Sequence, residues 1–408
     1  MEKLEHTFTI TIMKFSCRTA ELLQTLQLAS RAISGQQALP ILNNVLIEIE
    51  GKHCTVSATD LELSIVTSFE ADVENEGAIT VPAKAILNFA QYNPTEEVLL
   101  ETSEGTQLKC TSKHGKTVIA GESANEYPTI SPIEKDTSFN IGMEPLLSAL
   151  HKITFACARS SVRPVLSGVY IRVNKGKLTF VATDSYRLSE YTTSGEIDAD
   201  DVSCIVPVKV LEELRTVLAA YRGIKSSGDE EDGKKESGKK KVKKEDEAES
   251  VSVSLSSQQI ELHVGTTKLL SRLIEGKFPD YQQIIPKGEG TTVELSTKEL
   301  TTVVKRMHYF AKEINNNLTF SLGKNDLKIA TPQTQAGKDE ATLSTETKGP
   351  ANKIALSSAY ILDFLTHTDG DTIQLKVTDS MHPAVFRIIG EESYLHLIMP
   401  LRLQEDAK

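Results

Sequence analysis

Two hydrophobic periods alternate along the chain. Leu22, Leu26, Ala29 and Ile33 recur at steps of 4, 3 and 4; Leu146, Leu150, Ile153 and Cys157 repeat that spacing, as do Leu300, Val304, Met307 and Ala311. Steps of this kind line one face of an α-helix, and the plain reading of each stripe is buried core. Between the stripes lie alternating, β-branched runs that predict strands over residues 41–50, 54–58 and 63–69, and again over 167–173, 178–182 and 187–192. A second helix is predicted over 84–92, 209–221 and 359–366. It follows Val81-Pro82-Ala83, Val206-Pro207-Val208 and Leu356-Ser357-Ser358 respectively. Proline suits the first turn of a helix, where its missing N–H costs nothing. Further strands over 97–102, 107–111 and 117–121 close the first of these sets.

The pattern is a repeat. Residues 178–190 read LTFVATDSYRLSE, residues 54–64 read CTVSATDLELS, and residues 327–333 read LKIATPQ. Each is a strand that ends at Ala-Thr in a tight turn. Asp60 and Asp184 are 124 positions apart, and Asp184 and Pro332 are 148 apart. Residues 225–250 account for the difference, because removing those 26 residues brings the second interval to 122. That tract holds eight Lys and nine Asp or Glu with a single Val and no aromatic. Such a composition offsets little ordering entropy and predicts a disordered, solvated loop, with contact to DNA or a partner as the less favoured reading. Three similar units follow, each of two helix-plus-strands halves, with short connections that imply antiparallel sheets and helices on one side: an α+β protein. The extended, Pro-bearing segments Glu126-Tyr127-Pro128-Thr129-Ile130 and 278–284 place boundaries near 134 and 287. The expected division is an N-terminal extension 1–12 and domains 13–134, 135–287 and 288–408. Phe8, Ile10 and Ile12 alternate like a strand within the extension, and Met13 offers a second start.

Composition narrows the chemistry. The 408 residues contain no Trp and only 5% aromatics, so the cores are aliphatic. Forty-five basic against 56 acidic side chains give a formal charge of −11, which argues against gripping nucleic acid with the whole surface but leaves room for a basic face. Cys17, Cys54, Cys110, Cys157 and Cys204 lie far apart and read as buried small hydrophobes in a reducing cytosol rather than as metal ligands. No apolar run is long enough to span a membrane, and residues 1–12 lack the apolar segment of a signal peptide.

Several motifs carry a resemblance. Val181-Ala182-Thr183-Asp184-Ser185-Tyr186-Arg187-Leu188, Phe278-Pro279-Asp280-Tyr281, Ile398-Met399-Pro400-Leu401-Arg402-Leu403, Arg163-Pro164-Val165-Leu166-Ser167-Gly168 and Leu39-Pro40-Ile41-Leu42 resemble the bacterial sliding clamp family, the β subunit of DNA polymerase III, in the same order from Met13 to Leu403. The resemblance implies a DNA-clamp fold and a ring-forming head-to-tail homodimer of six similar domains, with helices lining the hole and sheets outside. It implies a processivity factor that encircles double-stranded DNA without reading sequence and performs no catalysis of its own. Its partners would be the polymerase III catalytic subunit, the clamp loader and other proteins with a clamp-binding motif, and its location the cytoplasm, at the nucleoid. No cofactor, metal or membrane is implied.

The resemblance also assigns residues. A pocket for apolar client peptides is carried onto Leu166, Thr183, Tyr186, Arg187, Leu188, Pro279, Ile284, Leu397, Ile398, Met399, Pro400, Leu401 and Arg402. A Met-rich, aliphatic groove with polar edges suits peptide capture. Residues 397–401 read equally as a closing core strand, and both readings hold. On or beside the helices sit Arg18, Arg31, Lys84, Lys152, Arg159, Lys209, Arg215, Arg222, Lys298, Lys305, Arg306 and Lys312, several off the buried stripes, where they would meet phosphates. Tyr309 and Phe310 are expected at the dimer interface, against an edge strand of the first unit near 116–119. The sequence departs from many members at Ser185-Tyr186, where Gly-His is common, and at Gln36-Gln37, which lack a basic neighbour.

Two other classes stand beside this one. A catalytic reading needs clustered acid, base or nucleophile, yet Asp60 and Asp184 are equivalent copies of one turn residue and the nine His are scattered. Neither a Gly-rich phosphate loop nor an HExxH motif occurs. A repeat scaffold that never touches DNA is the closer rival, and its open ends would separate it from a closed ring by solution mass and shape.

Overall fold

The computed structural model describes residues 12–33, 35, 39–103, 106–160, 162–194, 201–231 and 250–402, with backbone alone over 223–231. Phe8, Ile10, Gln36, Gln37, Leu403 and residues 232–249 lie outside the described residues.

The element order recurs three times. The first third runs β1 (Lys14–Arg18), α1 (Thr19–Ala29), β2 (Asn44–Glu50), β3 (His53–Thr59), β4 (Leu63–Glu70) and β5 (Asp72–Asn75). It continues with β6 (Gly77–Pro82), α2 (Ala83–Gln91), β7 (Glu97–Ser103), β8 (Gln107–Ser112) and β9 (Gly115–Ala120). The middle third has β10 (Thr137–Gly142), α3 (Met143–Ile153), β11 (Gly168–Asn174), β12 (Lys177–Thr183) and β13 (Arg187–Ser194). Its second half has β14 (Val202–Pro207), α4 (Val208–Glu231), β15 (Ser250–Leu255), β16 (Gln259–Val264) and β17 (Thr267–Arg272). The last third has β18 (Thr291–Ser296), α5 (Thr297–Ala311), β19 (Asn317–Leu322), β20 (Asp326–Ala330), β21 (Glu340–Ser344) and β22 (Thr347–Lys348). It ends with β23 (Asn352–Ser357), α6 (Ser358–Thr366), β24 (Thr372–Val377), β25 (Ala384–Ile388) and β26 (Glu391–Ile398).

Hydrophobic stripes and boundaries agree with the sequence in most places. Leu22, Leu26 and Ala29 on α1, Leu146, Leu150 and Ile153 on α3, and Leu300, Val304, Met307 and Ala311 on α5 are all buried. Ile33 and Cys157 lie past their helices, each in extended backbone after a 3-10 turn. The first predicted strand begins at Asn44 instead of residue 41, because Pro40–Asn43 forms a 3-10 turn. Pro82 and Pro207 end their strands immediately ahead of α2 and α4 rather than sitting inside the first turn. The clearest correction is α4, which continues past Tyr221 to Glu231 and takes in the first residues of the charged tract.

All strand pairings are antiparallel, and the halves of each third exchange their opening strands. β1 pairs with β7, while β6 pairs with β2. β10 likewise pairs with β15 and β14 with β11; β18 pairs with β24 and β23 with β19. Two further pairings join successive thirds. β17 lies against β4, and β26 lies against β13. The sheets therefore run β5-β1-β7-β8-β9, β10-β15-β16-β17-β4-β3-β2-β6, β14-β11-β12-β13-β26-β25-β24-β18-β22 and β21-β20-β19-β23. This stitching divides the middle third between two compact bodies: one holds the residues up to Met143 with Glu213–Arg272, the other Glu144–Glu212 with Leu273 onward.

Candidate peptide-binding seam and basic helix faces

The turn between β12 and β13 organises the candidate pocket. Thr183 Oγ1 donates to the Arg187 carbonyl (2.6 Å) and accepts from the Ser185 amide (3.1 Å). Asp184 Oδ1 accepts from the amides of Tyr186 (2.9 Å) and Arg187 (3.0 Å). Ser185 takes φ +78°, a left-handed conformation that a side chain adopts at some cost. The same construction stands between β3 and β4, where Thr59 and Asp60 make the matching bonds and Leu61 has φ +75°. Asp60 and Asp184 are thus turn-closing acceptors, as the repeat implied.

The end of the described chain docks on this turn. The Met399 amide donates to the Tyr186 carbonyl (2.8 Å), and the Leu401 amide to the Ala355 carbonyl (2.7 Å). Asn317 Nδ2 donates to the Arg402 carbonyl (3.1 Å). Beneath lies a core of Val181, Leu188, Ile205, Phe278, Leu395 and Leu397, on which Val165, Tyr170 and Tyr281 pack. Phe278 stacks on Tyr170 at 5.0 Å, fixing the segment that carries Pro279 and Ile284. Gly168, which follows the turn at Leu166, admits no larger residue: a Cβ there would sit 2.7 Å from both the Val206 carbonyl and Ile274.

Burial separates the residues named for this wall into two sets. Leu166, Thr183, Leu188, Leu397 and Ile398 are buried and act as floor. Arg187, Met399, Pro400 and Leu401 are half-buried, while Tyr186, Pro279, Ile284 and Arg402 are exposed. Tyr186 and Ile284 are among the few large apolar side chains left open to water. Met399 and its neighbours therefore remain available to a ligand, while the buried set holds the strand in place.

Arg187 is more constrained than its motif revealed. Its Nε donates to Asp184 Oδ2 (3.0 Å) and its Nη1 to Asp363 Oδ2 (2.5 Å). The guanidinium also lies over the Tyr360 ring at 4.7 Å and the Phe155 ring at 5.4 Å, and Tyr360 stacks with Tyr186 at 6.5 Å. Burial, with Asp184 second, pushes the Tyr360 hydroxyl pKa up. Tyr360, Asp363 and Phe155 were missed in the sequence. Tyr360 and Asp363 sit one helical turn apart on α6, but no motif marks them.

The basic residues behave unequally. Arg18, Lys84, Arg159, Arg222, Lys298, Lys305 and Lys312 are exposed, and Lys209 and Arg215 are half-buried. On α5 the exposed positions Lys298, Thr302, Lys305, Tyr309 and Lys312 follow a helical spacing opposite the buried stripe. Lys152 corrects the expectation: it is 5% exposed, pairs with Glu391 at 2.5 Å and lies over the rings of Tyr191 and Tyr394. A lysine so enclosed presents no charge to a phosphate. Arg31 is exposed but bonded to Glu213 and Thr216. Arg306 is exposed yet forked onto Asp339, Nε to Oδ2 at 2.7 Å and Nη2 to Oδ1 at 3.0 Å.

Tyr309 is 70% exposed and meets the half-buried Phe310 edge to face at 5.3 Å. β9, the strand that contains 116–119, ends its sheet and exposes Val118. The described cysteines are free, and burial raises the Cys17 thiol to about 12. No group of potential metal ligands occurs among the described residues. No described helix is long and apolar enough to cross a membrane.

Comparison with known proteins gives a consistent result. Family models of the DNA polymerase III beta subunit match in three consecutive parts: the N-terminal domain over 13–131, the central domain over 140–225 and the C-terminal domain over 282–402. The beta sliding clamp of Synechocystis sp. is 28% identical over 401 residues, covering 96% of this chain and all of that protein. That of Pseudomonas putida is 26% identical with the same coverage. Among solved structures, the Thermotoga maritima DNA polymerase III beta subunit superposes with a TM-score of 0.84 at 25% identity, over 96% of this chain and the whole of the other. A Pseudomonas aeruginosa sliding clamp bound to griselimycin matches with a TM-score of 0.84 at 26% identity and equal coverage. The chain belongs to the family of the DNA polymerase III beta subunit, the bacterial sliding clamps.

Proposed function

We infer that this chain is a DNA sliding clamp, a non-catalytic processivity factor that encircles duplex DNA and tethers the replicative polymerase. One observation carries the reading beyond family membership. Successive thirds are joined by one strand pairing, the last strand of a third against the fourth strand of the preceding third: β17 with β4, then β26 with β13. The next member of that series is β9 with β21. Each of these ends its sheet with a single neighbour. A second copy, placed head to tail, supplies both missing partners and closes six similar thirds, three from each copy, into a ring. Tyr309 and Phe310 on α5 then meet the partner near β9. Domains 13–134, 135–287 and 288–408 are the repeating units of that ring.

Helices α1 to α6 line the hole, and the exposed bases Arg18, Lys84, Arg159, Lys298, Lys305 and Lys312 keep the phosphates centred without reading bases. The apolar rim of Tyr186, Ile284 and Met399 with Leu401 takes short client peptides from the polymerase catalytic subunit, the clamp loader and other clamp-binding proteins. The place of work is the cytoplasm, at the nucleoid.

Topological retention tests this directly. Loaded on closed circular DNA, the protein stays bound in salt that displaces phosphate contacts, whereas an ordinary binder loses affinity steeply. Cutting the circle once releases it. Equal retention on circular and linear DNA, measured by co-elution, would overturn encirclement.

A further inference from the structure

Arg306, Asp339 and the edge strand β21 form one connected unit. Arg306 projects from α5 and grips both carboxylate oxygens of Asp339, at 2.7 and 3.0 Å. Asp339 is the residue immediately before β21. Its backbone is fixed in turn, since its amide donates to Thr331 Oγ1 (2.8 Å) and its carbonyl accepts from the Thr331 amide (2.9 Å). The loop between β20 and β21 also approaches Phe310, whose ring lies 3.7 Å from where a Cβ on Gly337 would stand. Helix and edge strand are therefore linked at one ion pair with two parallel bonds, the geometry that gives an arginine–carboxylate pair directional hold.

The repeat says where this pair lies. Six residues past the first stripe residue of each opening helix stand Leu28, Lys152 and Arg306. Leu28 is 6% and Lys152 is 5% exposed, whereas the Arg306 side chain is 56% exposed. Two of the three equivalent positions are covered, and the uncovered one is on the helix beside the free edge β21. Arg306 thus occupies a position that the fold elsewhere buries at a seam, not one that it leaves facing water.

We propose that Arg306 is a positioning residue for ring closure: with Asp339 it locks β21 to α5, so that the edge strand and Tyr309 reach the partner copy as one preset surface. This rests on the closure reading above. It replaces the role in phosphate contact that the sequence suggested, because the Nε–Nη2 edge of the guanidinium, the one that forks onto an oxyanion, is committed to Asp339. An unlocked edge has to be ordered during association, and that ordering is lost from the affinity.

The experiment measures the dimer dissociation constant of the full chain by sedimentation at graded dilution, with thermal melting alongside. R306A and D339N are expected to weaken dimerisation about tenfold or more while melting within a few degrees of wild type. R306K, which keeps the charge but loses the fork, falls between. The exchange R306D/D339R restores most of the affinity. Wild-type dimerisation with R306K and D339N indistinguishable from it would overturn the proposal, as would a DNA-retention defect in R306A with an unchanged dimer. A wild-type protein that does not dimerise at all would instead defeat the closure reading itself.

Discussion

The amide of Met399 donates to the carbonyl of Tyr186 at 2.8 Å, and the amide of Arg272 donates to the carbonyl of Glu62 at 3.3 Å in the equivalent place one repeat earlier. The backbone is the same at both, and the side chains are not. Met399 and Tyr186 give the later seam an apolar rim, while Arg272 and Glu62 give the earlier one a pair of opposite charges. On the proposed function, that difference in side chains is what would favour the later seam for peptide capture.

Met399→Ala is expected to weaken a client peptide substantially. A peptide carrying two or three apolar anchors binds at about micromolar affinity, roughly −8 kcal/mol. Truncating a central wall residue costs on the order of 2 kcal/mol. Met399 is half-buried and lies outside the buried floor, so the fold survives. Titration calorimetry with a polymerase-derived peptide checks this; equal affinity for wild type and variant would remove Met399 from the site.

Combining Tyr309→Asp with Phe310→Asp should give folded monomers. Tyr309 is largely exposed in the single chain, so its replacement costs little until an interface forms over it. Burying two new carboxylates there is costly. Sedimentation velocity reads the outcome, and a double variant that still runs as a dimer places the interface elsewhere.

Replacing residues 232–249 with a short Gly-Ser connection should shift melting by no more than a few degrees. The segment is mostly Lys, Asp and Glu, and loop length changes closure entropy only slowly. The deletion begins after Glu231 because α4 extends that far. Differential scanning calorimetry of both forms decides it, and a large loss would show that the segment packs on the body.

Acid should destabilise the protein through His396. The ring is buried; its Nδ1 bonds to Ser189 Oγ at 2.7 Å and its Nε2 has no partner in the structure. Burial first, then Arg187 and His367, hold its pKa well below the ordinary histidine value. The unfolded chain protonates near 6.5 while the folded one stays neutral, so the unfolded state binds more protons below that pH. Stability is fully present above about 6.5 and falls as pH drops towards the folded pKa, by up to about 1.4 kcal/mol per pH unit. Melting curves at pH 7.5 and 5.5 should show a smaller acid shift for His396→Gln than for wild type. Equal shifts would assign the acid sensitivity to other groups.

Much of this was legible in the chain because local periodicity and turn chemistry dominate it. The stripes on α1, α3 and α5 and the Thr-Asp turns at 59–60 and 183–184 follow from spacing and from side chains that bond their own backbone. Long-range partners were not legible. Nothing near Lys152 announces Glu391, 239 positions away, and nothing near Arg187 announces Asp363. Lys152 reads as a free surface charge and Arg187 only as part of a pocket wall, because these acceptors come from another third. The end of α4 was misread for a related reason: helix propagation from the buried turns before Tyr221 carries on into residues whose own composition favours solvent.

The pairing of β4 with β17 has a consequence during synthesis. Leu63 lies opposite Ser271, about 200 residues later in the chain, and Thr67 Oγ1 meets Thr267 Oγ1 inside that seam at 2.9 Å. At about 5–20 residues per second, a ribosome leaves β4 without its neighbour for roughly 10–40 s. Throughout that interval Leu63, Ile65 and Ser64 stand along an open sheet edge that invites pairing with another nascent chain. The stretch between α4 and β15 lengthens the wait, since every residue of it must be translated before β17 emerges. Polysomes making this protein therefore carry an aggregation hazard in the first third, and β13, whose partner β26 follows after a similar length of chain, extends it into the middle third.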